Sequence, residues 1–467
     1  MNSKSLPAPK TSELRRPLGK IVVTTCLALA SVITAHAQSV WTGASGTWSS
    51  NGSPGWNGTG VPVAGTTANL GSSATKTVTL DVSGTTGSLF YDGSGNTITT
   101  MTLTGGLTFD NSGSASALSN TNTNAGTSNR LSIAGGTITL VNDLTISNSG
   151  NSSNTSGAIT LSSTALIAGS GALTISNVSN SLAAGAITMS GASTFTGSVL
   201  IQKGILGFSY SSGTSFGNSA NVVTVGQSGQ GDASFINTSS NNTIGNSIII
   251  AAGSGGTSAI GSSSGAAASN TTFAGTILLN GSVSLTSSKG AGADVRYTNV
   301  LSGAGGVTTV GTGETQFGNG TASITNTYLG NTTLTQTSSL VLSDNAKLTF
   351  TIGATGVNNT ITATGGNNNT LTLDGDFVFD LTGAGSTVGN SWAIVDVSLL
   401  NETFSSSFTV ASFVADGGGD LWTKDINGTN YYQFSEATGV LSVVPEPGAC
   451  ALLGFGLTVL LFRRRRL

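Results

Sequence analysis

Across much of the chain, apolar residues recur at every second position in short runs separated by Gly, Asn and Ser. Runs of this kind cover 77–82, 97–103, 136–141, 143–146, 171–175 and 221–225. A period of two sends alternate side chains to opposite faces, so each run predicts a strand with one buried and one solvated face. Between 38 and 444 no stretch carries the 3.6-residue spacing of an amphipathic helix. The body is therefore expected to be all-β.

The buried positions of these runs are small and repetitive, whereas a sandwich core of this size would need larger and more varied side chains. A parallel β-helix answers the pattern, because each rung stacks like residue on like residue and turns its corners at Gly and Asn. We expect a right-handed parallel β-helix with β-rich end caps. At 20 to 30 residues per rung and ~4.8 Å between rungs it would be on the order of 65 to 100 Å long.

Internal repeats agree with this. Thr194-Phe195-Thr196-Gly197-Ser198-Val199-Leu200-Ile201 recurs around Phe273, Gly275 and Leu279, and again around Tyr328, Gly330 and Leu334, at spacings of 78 and 55 residues. In each copy the aromatic is expected to point inward, the glycine to adopt a corner conformation that side chains dislike, and the apolar residue to re-enter the core. These units resemble the autotransporter-associated β-strand repeat, also called the passenger-associated transport repeat, of large secreted bacterial surface proteins.

Both ends of the body differ from its middle. Trp41, Trp48 and Trp56 lie within 16 positions. They suit either a sugar-stacking platform or, as expected here, a plug over the open first rung. After 371 acids and aromatics increase. Asp374, Asp376 and Asp380 alternate with Phe377 and Phe379, which predicts a solvated acidic strand face, with calcium binding or acid/base work as the alternatives. Asn427-Gly428 between two strand-like runs predicts a hairpin.

Composition removes most chemistry. The only histidine is His36, and both cysteines, Cys26 and Cys450, lie in the terminal segments. Disulfides, thiolate or imidazole metal sites and Ser-His or Cys-His catalysis are thus excluded from 38–444, and no cofactor is expected. The same stretch holds 17 acids and seven bases, thinly spread, which argues against nucleic-acid binding. No steering site or clustered charge is expected.

The terminal segments address the chain. Residues 1–20 are basic, an apolar stretch follows from Ile21, and Ala35-His36-Ala37 supplies a small-x-small cleavage site. This predicts a secretory signal peptide with a short helix over 1–37. At the other end Pro445-Glu446-Pro447 precedes a 15-residue apolar run, 448–462, and then Arg463, Arg464, Arg465 and Arg466. Two prolines forbid helix across the tripeptide. The apolar run is short for a transmembrane helix, and the arginines place its end on the cytoplasmic side. Residues 444–467 closely resemble the PEP-CTERM sorting signal of Gram-negative, biofilm-forming bacteria. That resemblance implies an exosortase, a membrane cysteine protease, as partner.

The expected organisation is a signal peptide (1–37), a Trp-rich cap with the first rungs (38–105), a β-solenoid (106–370), a C-terminal β cap (371–443) and the sorting signal with its transmembrane helix (444–467). The expected function is that of an exported, non-enzymatic surface or extracellular-matrix protein. It would use the general secretion machinery, be anchored transiently in the inner membrane, and be sorted and cleaved by an exosortase, with a role in adhesion or in an exopolysaccharide biofilm matrix. The alternative is a carbohydrate-active β-helix enzyme, a polysaccharide lyase or hydrolase.

Overall fold

A computed structural model of the protein describes residues 37–446, apart from 52–54, 59, 72–74, 93–97, 122–129, 149–157, 180–181, 183–184, 210–215, 266–268, 366–367 and 419. The described residues are all-β and contain no helix. They form a parallel β-solenoid of about 12 turns. Within the coil, strands pair in parallel with strands one turn before and one turn after them.

Three faces make up a turn. On the first face Leu144, Leu173, Val199, Val223, Ile248, Ile277 and Leu301 are successive register partners, one per turn. All seven are buried. The second face stacks Leu206, Phe235, Ile260 and Leu285 in the same way. A third face carries four strands from Gly84–Thr86 to Leu166–Gly169, and seven more from Asn242–Ile244 to Glu402–Phe404. Where no described strand lies between those two groups, Phe195, Phe208, Phe216 and Phe235 fill the interior. Phe208 stacks on Phe235 at 4.2 Å, and Phe216 meets Phe195 edge-on at 5.7 Å.

The six alternating runs each contain a strand of this coil. Like stacks on like: Leu144-Thr-Ile-Ser-Asn148 lies in register on the identical pentapeptide Leu173-Thr-Ile-Ser-Asn177. Asn120, Asn148 and Asn177 form a buried column at one corner. Asn148 Nδ2 donates to the Gly185 carbonyl at 2.6 Å, so side-chain amides satisfy backbone that turns away from the ladder.

The ends are antiparallel. Gln38–Thr42 pairs with Gly55–Gly58, which opposes Trp41 to Trp56. At the far end Ser391–Ala393, Val440–Pro445, Asn430–Ser435, Leu421–Asp425 and Val414–Ala415 form a five-stranded sheet. The coil itself runs past 371, since Asp376–Asp380 still pairs in parallel with Ala346–Thr351. About 12 turns at ~4.8 Å give roughly 60 Å. This is shorter than the sequence-based expectation, because the chain in the C-terminal five-stranded sheet does not coil.

Candidate functional site

Pro445 closes the strand Val440–Pro445 in register with Asn430, and the Glu446 N–H donates to the Thr429 carbonyl at 2.7 Å. Both residues are exposed. Ala37 is exposed, and its carbonyl accepts the Thr67 N–H at 3.1 Å. Ala35, Pro447, the apolar run 448–462 and Arg463 to Arg466 lie outside the described residues, as do the expected signal and transmembrane helices. Among the described residues no helix is long and apolar enough to cross a membrane.

The repeat residues are placed in two ways. Phe195, Gly197 and Ile201 occupy the same corner as Phe273, Gly275 and Leu279, three turns apart. Tyr328 instead lies on the first face and Leu334 on the second, so Gly330 turns the next corner. Phe195, Phe273, Tyr328, Ile201, Leu279 and Leu334 are all buried. None of the three glycines has a positive φ. Their constraint is proximity: a Cβ would fall on the Gly171 carbonyl at Gly197, on the Asn246 carbonyl at Gly275 and on the Gly306 backbone at Gly330.

The three early tryptophans are buried against one another, with ring centroids 5.2 and 4.6 Å apart, and Trp56 Nε1 donates to the Trp48 carbonyl at 2.9 Å. Their faces are not available for stacking a sugar. Asp376 accepts from Thr409 Oγ1 at 2.6 Å and lies 3.1 Å from Lys347 Nζ, and Asp380 accepts from Thr382. Among the described residues no group of three or more His, Cys, Asp or Glu could hold a metal ion. Asn427 Oδ1 accepts from Thr429 and Asn430 across the hairpin turn, where Gly428 has φ 76°.

The main departure from the sequence-based expectation is a charge cluster on the third face, where no clustered charge was expected. Asp294 and Glu314 are register partners on successive rungs, and Ser339 follows Glu314. In both strands the alternate residues Val295, Tyr297, Thr315 and Phe317 point into the core, which turns the charged residues outward. Arg296 Nε donates to Asp294 Oδ2 and Gln316 Oε1, both at 2.9 Å. Lys289 is buried beside them and donates from Nζ to the Ser240 carbonyl at 2.8 Å. Together Lys289, Asp294, Thr312, Glu314 and Ser339, with the backbone of 290–293, line a cleft of about 380 Å³.

Burial shifts the ionisation of two of these groups towards neutrality. It pushes the Glu314 carboxyl up, helped by the Asp294 and Asp374 carboxylates and opposed by Arg296. It pulls the Lys289 amine down, opposed by Asp294. The cleft thus combines acceptors, donors and two hydroxyls at low net charge. Sequence reasoning missed it because its members lie far apart along the chain. The acid three positions before an aromatic, shared by Asp294-Val-Arg-Tyr297 and Glu314-Thr-Gln-Phe317, was the available signal.

Comparison with known proteins finds no matching family model, no matching curated protein and no matching solved structure.

Proposed function

We propose that the chain is an exported, non-enzymatic β-solenoid of the cell surface or extracellular matrix, with a role in adhesion or an exopolysaccharide biofilm matrix. In this reading the solenoid is right-handed, the hand favoured when parallel strands are joined by crossovers. The secretion machinery removes the segment up to Ala37, the 448–462 helix holds the chain briefly in the inner membrane, and an exosortase reads Pro445-Glu446-Pro447 and the terminal arginines. The observation that carries the reading is the position of Pro445 and Glu446, exposed where the last strand of the folded body ends. A protease can reach a segment placed there without opening the coil.

The test expresses the tagged full chain beside one ending at Val444 in a host that carries an exosortase. The full chain should lose mass at its C-terminus and leave the membrane fraction, whereas the shortened chain should show neither change. Identical mass and fractionation would refute the sorting role.

One observation favours the alternative, a carbohydrate-active enzyme: two carboxylates on successive rungs, with Lys289 and Arg296 beside them. General acid/base cleavage uses such pairs. Release of reducing or unsaturated ends from polysaccharide by the wild type, abolished in Glu314→Gln, would establish it. The non-enzymatic reading expects equal background from both.

A further inference from the structure

We propose that the third-face cleft bounded by Lys289, Asp294 and Glu314 binds a neutral, hydroxyl-rich saccharide. This goes beyond delivery to the exterior and does not rest on it.

Asp294 carries the first part of the argument. Its side chain is nine-tenths buried, and its Oδ1 accepts no hydrogen bond among the described residues. Arg296 Nε is 2.9 Å from that oxygen, but its single hydrogen is directed to Oδ2 and to Gln316. Asp294 thus stands at the cleft with its charge met by Arg296 and one oxygen that no hydrogen-bond donor of the described fold satisfies.

The surroundings select the ligand. Lys289 Nζ has one acceptor among the described residues, leaving two of its three hydrogens. Lys289 lines the cleft together with Asp294, Glu314, Thr312 and Ser339, so donors and acceptors border the same space. An anionic ligand would meet Asp294 and Glu314, and a cation would meet Lys289. A sugar hydroxyl both donates and accepts, and so satisfies both sets without adding charge. The cleft is at the small end of the roughly 300–1,000 Å³ range of ligand pockets, which fits one or two rings. Residues 290–293 (Gly-Ala-Gly-Ala) form a wall of small residues that lets a ring approach the backbone.

The test titrates the purified full chain with neutral gluco- and galacto-hexasaccharides by calorimetry, with hexagalacturonate as the acidic comparison. At least one neutral hexasaccharide should bind, and Glu314→Ala should weaken it tenfold or more. Ser339→Leu, which fills the cleft without removing a charge, should do the same, and Lys203→Met on another part of the coil should leave binding unchanged. An unchanged far-UV strand spectrum in each variant certifies folding. The inference is overturned if no neutral sugar binds, if the galacturonate binds more tightly, or if Glu314→Ala and Ser339→Leu retain wild-type affinity. Because binding is measured on purified protein, its failure leaves the sorting result untouched, and a failed sorting result leaves binding untouched.

Discussion

Asn246 accepts the backbone N–H of Phe216, one turn back along the coil, through Oδ1 at 2.6 Å. From the same side chain Nδ2 reaches the carbonyls of Phe216, Asn218 and Asn221 at 3.3, 2.9 and 3.1 Å. One amide thus holds a corner that has no strand partner, and with it the aromatic that fills the interior. Asn246→Ala should destabilise that corner by about 2–4 kcal/mol, because it strands several buried backbone groups at once. Hydrogen exchange at the Phe216 amide should accelerate far more than exchange on the Val283–Ser287 strand, since stability in a coil is local and nearest-neighbour. Equal acceleration of both would contradict it.

The repeat glycines make a different prediction. Gly275→Ala places a methyl on the Asn246 carbonyl and Gly197→Ala places one on the Gly171 carbonyl. Neither neighbour is a side chain that can rotate away. Each variant should lower the melting temperature, whereas Gly292→Ala, which has open space but a φ of 82°, should cost only the left-handed backbone penalty of about 1 kcal/mol. A Gly275→Ala protein as stable as wild type would show that the turns can spread.

Glu314 gives a pH dependence with a definite sign. Burial raises its folded-state pKa above the ordinary 4.5, so the folded chain holds a proton that the unfolded chain releases. The contribution of this group to stability is full below 4.5 and declines as pH rises through the folded value. Glu314→Gln should flatten that part of the decline in thermal melts, and a parallel curve for the two proteins would refute the assignment.

Lys76 works in the opposite direction. It is buried, donates to the Leu70 carbonyl at 2.7 Å, and burial lowers its pKa from 10.5. The folded chain then binds fewer protons than the unfolded one, so stability rises with pH until the unfolded lysine also loses its charge. In Lys76→Met melts, the rise towards pH 10.5 should shrink.

The tryptophan plug is readable by fluorescence. All five tryptophans, Trp41, Trp48, Trp56, Trp392 and Trp422, are buried, so emission should be blue-shifted and poorly quenched by acrylamide, and added oligosaccharide should not change it. Trp56→Ala should cost about 3–5 kcal/mol at that end of the coil. Ready quenching in the wild type would overturn the burial.

The coil was legible because its information is periodic. Leu144-Thr-Ile-Ser-Asn148 declares a strand by alternation, and its repetition at 173–177 declares stacking. Spacing between repeat copies was legible only where it equalled whole turns. Phe195 and Phe273 obey this, while Tyr328 falls at another corner because the motif encodes a turn and not a position in the coil. The cleft was not legible, since Asp294 and Glu314 become neighbours only when a rung closes between them.

The last strand of the body has a mechanical consequence. Val440–Pro445 is held on one side by six residue pairs with Asn430–Ser435, and on the other by Ser391–Ala393, both antiparallel. A pull applied beyond Glu446 runs along this strand while its ladder bonds stand across it. The bonds share the load in shear and do not unzip one after another. A chain pulled by its tail is therefore gripped along the whole length of its last strand.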